Sequence, residues 1–271
     1  MAASPWQEAF HHEEGATMTD TAWQVHALRY AVAPRVLRDV LLGGLSGPEG
    51  DAEIGVAYHV FVVHRPGAAF VVDTGADARA LESRGRTLLQ PVAAGLAQLG
   101  ITPGKTGAEI IQTHLHWDHA GNHDLLPGAR VWLQRREMAY AATTGLSVPY
   151  FRAGYDVADI AAMARRIAAG QVTLLDGEAS PAPGITLHHV GGHTDGLMLT
   201  RVLTRKGWMV LAGDVVAFRA NLLRRTPFPH LFHVADALAG FDTALALAGS
   251  PELVIPSHDP AVTPEPITRL D

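Results

Sequence analysis

Apolar residues in this chain fall largely into short runs separated by turn residues, and those runs predict its strands. Residues 58–65 (YHVFVVHR) and 68–75 (AAFVVDTG) are rich in valine and phenylalanine and predict two strands joined by a Pro-Gly turn. AEIIQTH (108–114) and ARVWLQ (129–134) predict two more. QVTLL (171–175), GITLHHV (184–190), LMLTRVL (197–203) and WMVLAGD (208–214) follow, spaced by Asp-Gly, Pro-Gly and Lys-Gly turns, and ELVIPSH (252–258) is a last buried strand. Helical periodicity is sparser. Leu88, Leu89, Val92, Leu96 and Leu99 share one face over 87–99. Residues 156–170 (DVADIAAMARRIAAG) predict an amphipathic helix with Asp156 as N-cap and Gly170 as stop, and 234–249 a helix or helix pair.

Strands and helices thus alternate in two passes, about 23–150 and 171–271, with a helical stretch near 135–170 between them that is either packing or a lid. One domain over 21–271 with that helical insertion is the expected organisation. Residues 1–20 (MAASPWQEAFHHEEGATMTD) read as a flexible lead, with Met18 an alternative start. They carry acids and lack the basic-then-apolar order of a secretory signal.

Composition narrows the function classes. The 271 residues are 48% apolar and 18% charged, enough to bury a large core. Net charge is −6 and the arginines are scattered, so no basic surface for nucleic acid is expected. The absence of cysteine excludes disulfides and thiolate-held metal, and fits a cytoplasmic protein. No apolar run approaches the roughly 18 residues of a membrane span.

The chemistry concentrates in THLHWDHAGNH, residues 113–123. His114 and His116, at i and i+2 where a strand ends, point to one face and can reach one ion. Asp118 and His119 follow where a helix should begin. Nitrogen and oxygen ligands without sulfur suit zinc, with manganese or iron as alternatives. The rival reading is a histidine-rich surface loop. It is weakened by further ligand types at other strand ends: His193 in VGGHTDG, Asp214 in VLAGD and His258 in VIPSH.

His-x-His-x-Asp-His, then Gly-His, Gly-Asp and Ser-His in this order, resembles the metallo-β-lactamase superfamily over roughly residues 55–260, and VVDTG (71–75) fits the same pattern. The resemblance implies an α/β fold, a four-layer αββα sandwich, with two zinc ions. It implies that His114, His116 and His193 hold one metal, that Asp118, His119 and His258 hold the other, and that Asp214 bridges them. Asp73 would support the metal loop from beneath. The implied reaction is hydrolysis by metal-bound hydroxide, with Asp118 helping to move the proton.

Within that superfamily the chain is most similar to the N-acyl homoserine lactonase group. An aspartate, not a cysteine, stands at the bridging position, His258 lies thirteen residues before Asp271 with no substrate domain after it, and LAGFDTALALAG resembles the lactonases' corresponding helix. The expected substrate is a small molecule with a lactone or related ester carbonyl, the expected assembly a monomer or homodimer, and no membrane or nucleic acid is involved. A thioesterase or other ester or phosphoester hydrolase, and a non-catalytic metal-bound ligand-binding module, are the alternatives. One departure stands out: the tyrosine usual three residues after the bridging aspartate is Ala217 here, followed by Phe218. Tyr150, Tyr155, His230 and His233 are the candidate replacements for its hydroxyl, and 143–163 is either a pocket wall or core. His123 is a candidate support of the metal loop. His26, His59, His64, His188 and His189 are expected to pack or face solvent.

Overall fold

The computed structural model describes residues 22–104 and 107–271. The expected flexible lead, with His11 and His12, lies outside them. Two sheets carry the fold. The first holds β1 (Gln24–Ala33), β2 (Val56–Arg65), β3 (Ala68–Val72), β4 (Thr87–Leu88), β5 (Glu109–Ile111), β6 (Val131–Gln134) and β7 (Val172–Leu175). The second holds β8 (Ala179–Ala182), β9 (Ile185–His189), β10 (Met198–Thr204), β11 (Gly207–Leu211) and β12 (Val254–Ile255). The last strand, β13 (Ile267–Arg269), returns to the first sheet beside β1. The orders are β13-β1-β2-β3-β5-β6-β7, with β4 paired to β1, and β12-β11-β10-β9-β8.

Alternation along each strand explains the layering. Val60 and Val62 of β2 face an outer core, whereas Phe61 and Val63 face the second sheet. In β10 and β11, Met198, Val202, Met209 and Leu211 face the first sheet, and Leu199 and Val210 face the opposite way. Three apolar layers result. The middle one lies between the sheets. One outer layer packs the first sheet against helices α1 (Ala78–Ser83), α2 (Val92–Gln98) and neighbours, and the other packs the second sheet against helix 234–248. This is the expected αββα sandwich, and strands covered on both faces read as continuous apolar runs.

One expectation shifts, and one strand was not foreseen. The helix over 87–99 begins only at Val92: Thr87 and Leu88 pair with β1, and Pro91 sets the helix start. Val92 and Leu96 are buried as the periodicity implies, but Leu89 is exposed. The long strand β1 has no clean period in sequence, because a bulge between Arg29 and Ala31 shifts its register. After β5 come α3 (Trp117–Ala120), α4 (Arg135–Tyr140), α5 (Pro149–Arg152), α6 (Val157–Ala168), α7 (Arg219–Arg224) and α8 (Val234–Ala248). Asp156 caps α6 by accepting from Ala158 N, and Gly249, in the left-handed region, ends α8. Among the described residues no helix is long and apolar enough to cross a membrane.

Candidate metal centre

β3 and β5 are parallel neighbours, so the chain leaves both at the same edge of the sheet. There Asp73 adopts a left-handed backbone conformation, φ 64°, which Asp tolerates better than most residues. Its Oδ1 accepts from Thr113 N at 2.8 Å and from Gln112 Nε2 at 3.0 Å. Its Oδ2 accepts from Thr113 Oγ1 at 2.8 Å and pairs with His119 Nδ1 at 2.7 Å. Gln112 Nε2 also donates to the carbonyls of His114 and His119. This carboxylate fixes which nitrogen of His119 faces inward, since a ring whose Nδ1–H is taken presents Nε2.

The second sheet delivers the remaining groups from the ends of β9, β11 and β12. Gly191 and Gly192 have φ 76° and 89°, and a Cβ on Gly192 would come within 2.6 Å of Ala237 N, so the turn that carries His193 needs glycine there for both reasons. Asp214 follows β11, with Ser257 Oγ donating to its Oδ1 at 2.7 Å. His258 follows β12, and its Nδ1 lies 3.1 Å from Ala57 O, leaving Nε2 to face the cluster.

These side chains meet. Three overlapping groups have ligand atoms within 4.8 Å of one another: His114, His116 and His193; His114, His119 and Asp214; and Asp118, His119 and His258. Asp214 is central. Its Oδ1 is 3.3 Å from His119 Nε2 and 3.2 Å from His258 Nε2, and its Oδ2 is 3.2 Å from His193 Nε2. Asp118 Oδ2 sits 3.6 Å from His258 Nε2.

The donor set fits divalent metal. His114 Nε2 and His119 Nε2 are buried without a hydrogen-bond partner, although Asp214 is near the latter. Such orphaned atoms are rare unless something else binds them. Burial, followed by neighbouring histidines, holds His114 and His116 well below the usual imidazole range, and burial brings His193 down to about 4. Neutral imidazoles are the ligand-competent form. For His119 burial pushes down as well, but Asp214, Asp118 and Asp73 outweigh it and raise the ring well above its ordinary value. His258 is raised in the same way, chiefly by Asp214. Burial would raise Asp214, yet His258, His119 and His193 hold it well below the carboxylate range. Buried carboxylates that draw protons onto histidines mark a place short of positive charge, which a cation supplies.

The sequence profile of the metallo-beta-lactamase superfamily matches residues 54–258. The chain belongs to that superfamily. A curated N-acyl homoserine lactonase from Bacillus sp is 28% identical over 140 residues, which is 51% of this chain and only 46%, about half, of that protein's length. The crystal structure of a quorum-quenching N-acyl homoserine lactone lactonase superposes with a TM-score of 0.72 at 18% identity, covering 90% of this chain and 95% of the other. An N-acyl homoserine lactone hydrolase with N-hexanoyl-L-homoserine bound at its catalytic metal centre gives 0.71 at 18% identity, over 90% and 99%. A dizinc quorum-quenching lactonase gives 0.66 at 16% identity, over 88% of each chain. At these identities the structures share the superfamily fold.

A cavity of about 490 Å³ opens over the cluster, lined by His116, Asp118, His193, Asp214 and His258 from the histidine side. Its other walls include Tyr58, Trp117, Tyr150, Phe218, Phe228 and His230. Of the four replacements considered for the hydroxyl missing at Ala217, two reach the cavity. Tyr150 is stacked on His230 with ring centroids 5.3 Å apart, and its hydroxyl donates to Pro229 O. His230 is 5.2 Å from the His116 ring, with Nε2 buried and unpaired. Tyr155 and His233 do not line it. Tyr155 packs behind His116, and its hydroxyl lies 3.3 Å from Glu137 Oε1. His233 is turned to the start of α8, where Nδ1 accepts from Asp236 N. Phe218 is held in the wall by Asn221, whose Oδ1 accepts from its backbone N–H.

Residues 143–163, weighed as pocket wall or core, contribute to both. α6 packs Ile160 and Met163 into the outer core, while Tyr150 and Gly154 border the cavity. A Cβ on Gly154 would come within 2.6 Å of His116 Nε2. His123 belongs to none of the ligand groups and its ring lies beside Asp124. His26 and His64 pair with each other, and His59 is buried between Ser257 O and Thr263 Oγ1.

Sequence reasoning missed Glu137. It is fully buried, and burial raises its carboxyl to about 7. Oε1 accepts from Leu115 N at 2.9 Å, and Oε2 from Thr194 Oγ1 at 2.7 Å and Gly196 N at 3.1 Å. It therefore ties the loop of His114 and His116 to the loop of His193. An acid inside an otherwise charged helical turn, RRE, carries no visible mark of this. Tyr58, Arg35 and Arg86 were also missed, since the phase of a strand or loop does not reveal which cavity it borders.

Proposed function

We propose that this protein is a metal-dependent hydrolase that opens a lactone or related cyclic ester, with two zinc ions as its working metals. The observation that carries the reading is the meeting of His114, His116, Asp118, His119, His193, Asp214 and His258 in one cluster, five of which, all but His114 and His119, line one cavity. His114, His116 and His193 would hold one ion, Asp118, His119 and His258 the other, and Asp214, with an oxygen toward each set, would serve both. Divalent ions held there would supply Lewis acidity, lowering the pKa of water toward about 7 and polarising an ester carbonyl. The resemblance in fold to lactonases, one of them dizinc, supports the choice of metal and substrate class.

The chain's own residues do the rest. Asp118 borders the cavity with its carboxylate, and we assign it to carry a proton to the departing alkoxide oxygen. His230 is kept neutral, because burial lowers its pKa, and its unpaired Nε2 is available to orient the substrate. Phe218 replaces any hydroxyl near Ala217 with an apolar surface, and with Phe228 and Trp117 it keeps water from the substrate's body.

The test joins metal content to turnover. Protein purified without chelator should hold two metal ions per chain by mass spectrometry. A pH-stat panel of acyl homoserine lactones, γ-lactones and aryl esters should show turnover that a chelator abolishes and zinc restores. Absence of metal-dependent turnover across the panel rejects the lactone assignment.

A further inference from the structure

The cavity contains two cations that the reaction above does not use. Arg35 and Arg86 line it, each only partly exposed. Several other arginines are paired with acids: Arg38 with Asp51, Arg135 with Asp176, Arg136 with Asp195, Arg224 with Glu49 and Arg225 with Asp242. Among the described residues neither Arg35 nor Arg86 has such a partner, and Arg86 Nε is buried with no hydrogen-bond acceptor. The guanidinium of Arg86 lies against the Tyr58 hydroxyl, and a guanidinium that borders a cavity without an ion-pair partner is a ready seat for an anionic oxygen group.

Tyr58 connects these cations to the reacting floor. Its ring lies 5.2 Å from that of His258 and 5.8 Å from that of Trp117, and it too lines the cavity. The opposite wall, with Tyr150, Phe228 and His230, offers aromatic faces instead. The two arginines thus lie on the Tyr58 side of the cavity, and Tyr150, Phe228 and His230 on the side of His116 and His193.

We infer that the preferred substrate carries an anionic oxygen group, a carboxylate or a phosphate, seated on Arg35, Arg86 and the Tyr58 hydroxyl while its ester carbonyl lies over the histidine cluster. Planar guanidinium suits both groups, since each presents paired oxygens. This rests on the hydrolase reading and narrows its substrate class to lactones or esters charged away from the scissile bond. Arg86 should matter more than Arg35, which also borders a neighbouring groove with Asp39 and Glu53.

Three esters with one leaving group, bearing a neutral, a carboxylate or a phosphate substituent, test it. An anionic ester should exceed the neutral one in kcat/KM by about 10- to 100-fold, the range of a charge-assisted hydrogen bond. Which of the two anions leads identifies the group. Arg86→Met should collapse the anionic-to-neutral ratio toward one, mainly through KM, and Arg86→Lys should restore part of it. In parallel, calorimetric titration of glutarate and of inorganic phosphate into the metal-loaded protein should show binding that the double variant Arg35→Met/Arg86→Met loses at unchanged metal content. Equal rates for neutral and charged esters, or a preference that survives the double variant, overturns the inference and leaves the hydrolase intact. If no ester turns over, the hydrolase reading fails, and the titration alone decides: anion binding indifferent to both arginines overturns the subsite.

Discussion

Beneath the floor of the cavity Asp73 receives donors from Gln112, Thr113 and His119 on both of its oxygens, and on the wall Tyr150 is half exposed and holds a single strong bond to Pro229 O. The same contrast runs through both regions. Floor residues sit at or just after strand ends, and most are fixed by a buried partner: His119 by Asp73, His258 by Ala57 O, Asp214 by Ser257, and two of the loops by Glu137. Apart from Tyr58 on β2, wall residues come mainly from helices and loops between the sheets' strands, and they meet through ring contacts, such as Tyr150 on His230 and Phe218 on Phe228. Ligand geometry tolerates little error, so its support is over-determined, whereas an apolar wall adapts by repacking. A rigid floor sets the type of chemistry, and a looser wall sets what it acts on.

The largest effect should come from the centre of the floor. Asp214→Ala removes the carboxylate shared by three histidines and should lower both metal occupancy and kcat/KM, the latter by about 1,000-fold or more. Near-normal turnover in that variant would break the comparison at its root.

Next in size is Glu137→Ala, which strands the donors of Leu115, Thr194 and Gly196 in the interior. It should cost about 2–4 kcal/mol in denaturant unfolding and weaken metal binding by about 10- to 100-fold. Loss of stability with metal affinity intact would show that Glu137 supports the fold and not the floor.

His59 tests the frame beneath His258 through pH. Burial lowers its pKa from 6.5 to about 3, so the unfolded chain binds the proton more readily than the folded one. Its contribution is fully present above pH 6.5 and declines as pH falls toward 3, by about 1.4 kcal/mol for each pH unit. Wild type should therefore lose about 2 kcal/mol more than His59→Gln between pH 6.5 and 5 in chemical denaturation. Parallel curves would remove His59 from the account.

The smallest change belongs to the wall. Tyr150→Phe should alter stability by no more than about 1 kcal/mol and shift KM a few fold with kcat nearly unchanged. A collapse of kcat would give Tyr150 a role in the chemistry and erase the distinction between wall and floor.

The floor was legible because its residues are chemically rare and lie at the ends of recognisable strands: His114 and His116 after β5, His193 after β9, Asp214 after β11 and His258 after β12. The middle strands were legible because burial on both faces concentrates valine, leucine and isoleucine. β1 was not, since its bulge breaks the period, nor was the late start of the helix at Val92, where Leu88 and Leu89 keep a helical spacing while serving a strand and the surface. Tyr155 and His233 looked equivalent to Tyr150 and His230 in a list of polar aromatics, and only their neighbours, Glu137 and Asp236, separate them.

By itself, the order of residues determined most of the strands and the chemical identity of the candidate ligands, because strand periodicity and ligand chemistry are local properties, whereas the layered fold was implied by the family resemblance. Which side chains close the cavity beyond Phe218, Tyr150 and His230 was decided by tertiary structure. Arg35, Tyr58, Arg86 and Glu137 owe their roles to segments far apart in the chain, and through-space proximity leaves no trace in a one-dimensional pattern.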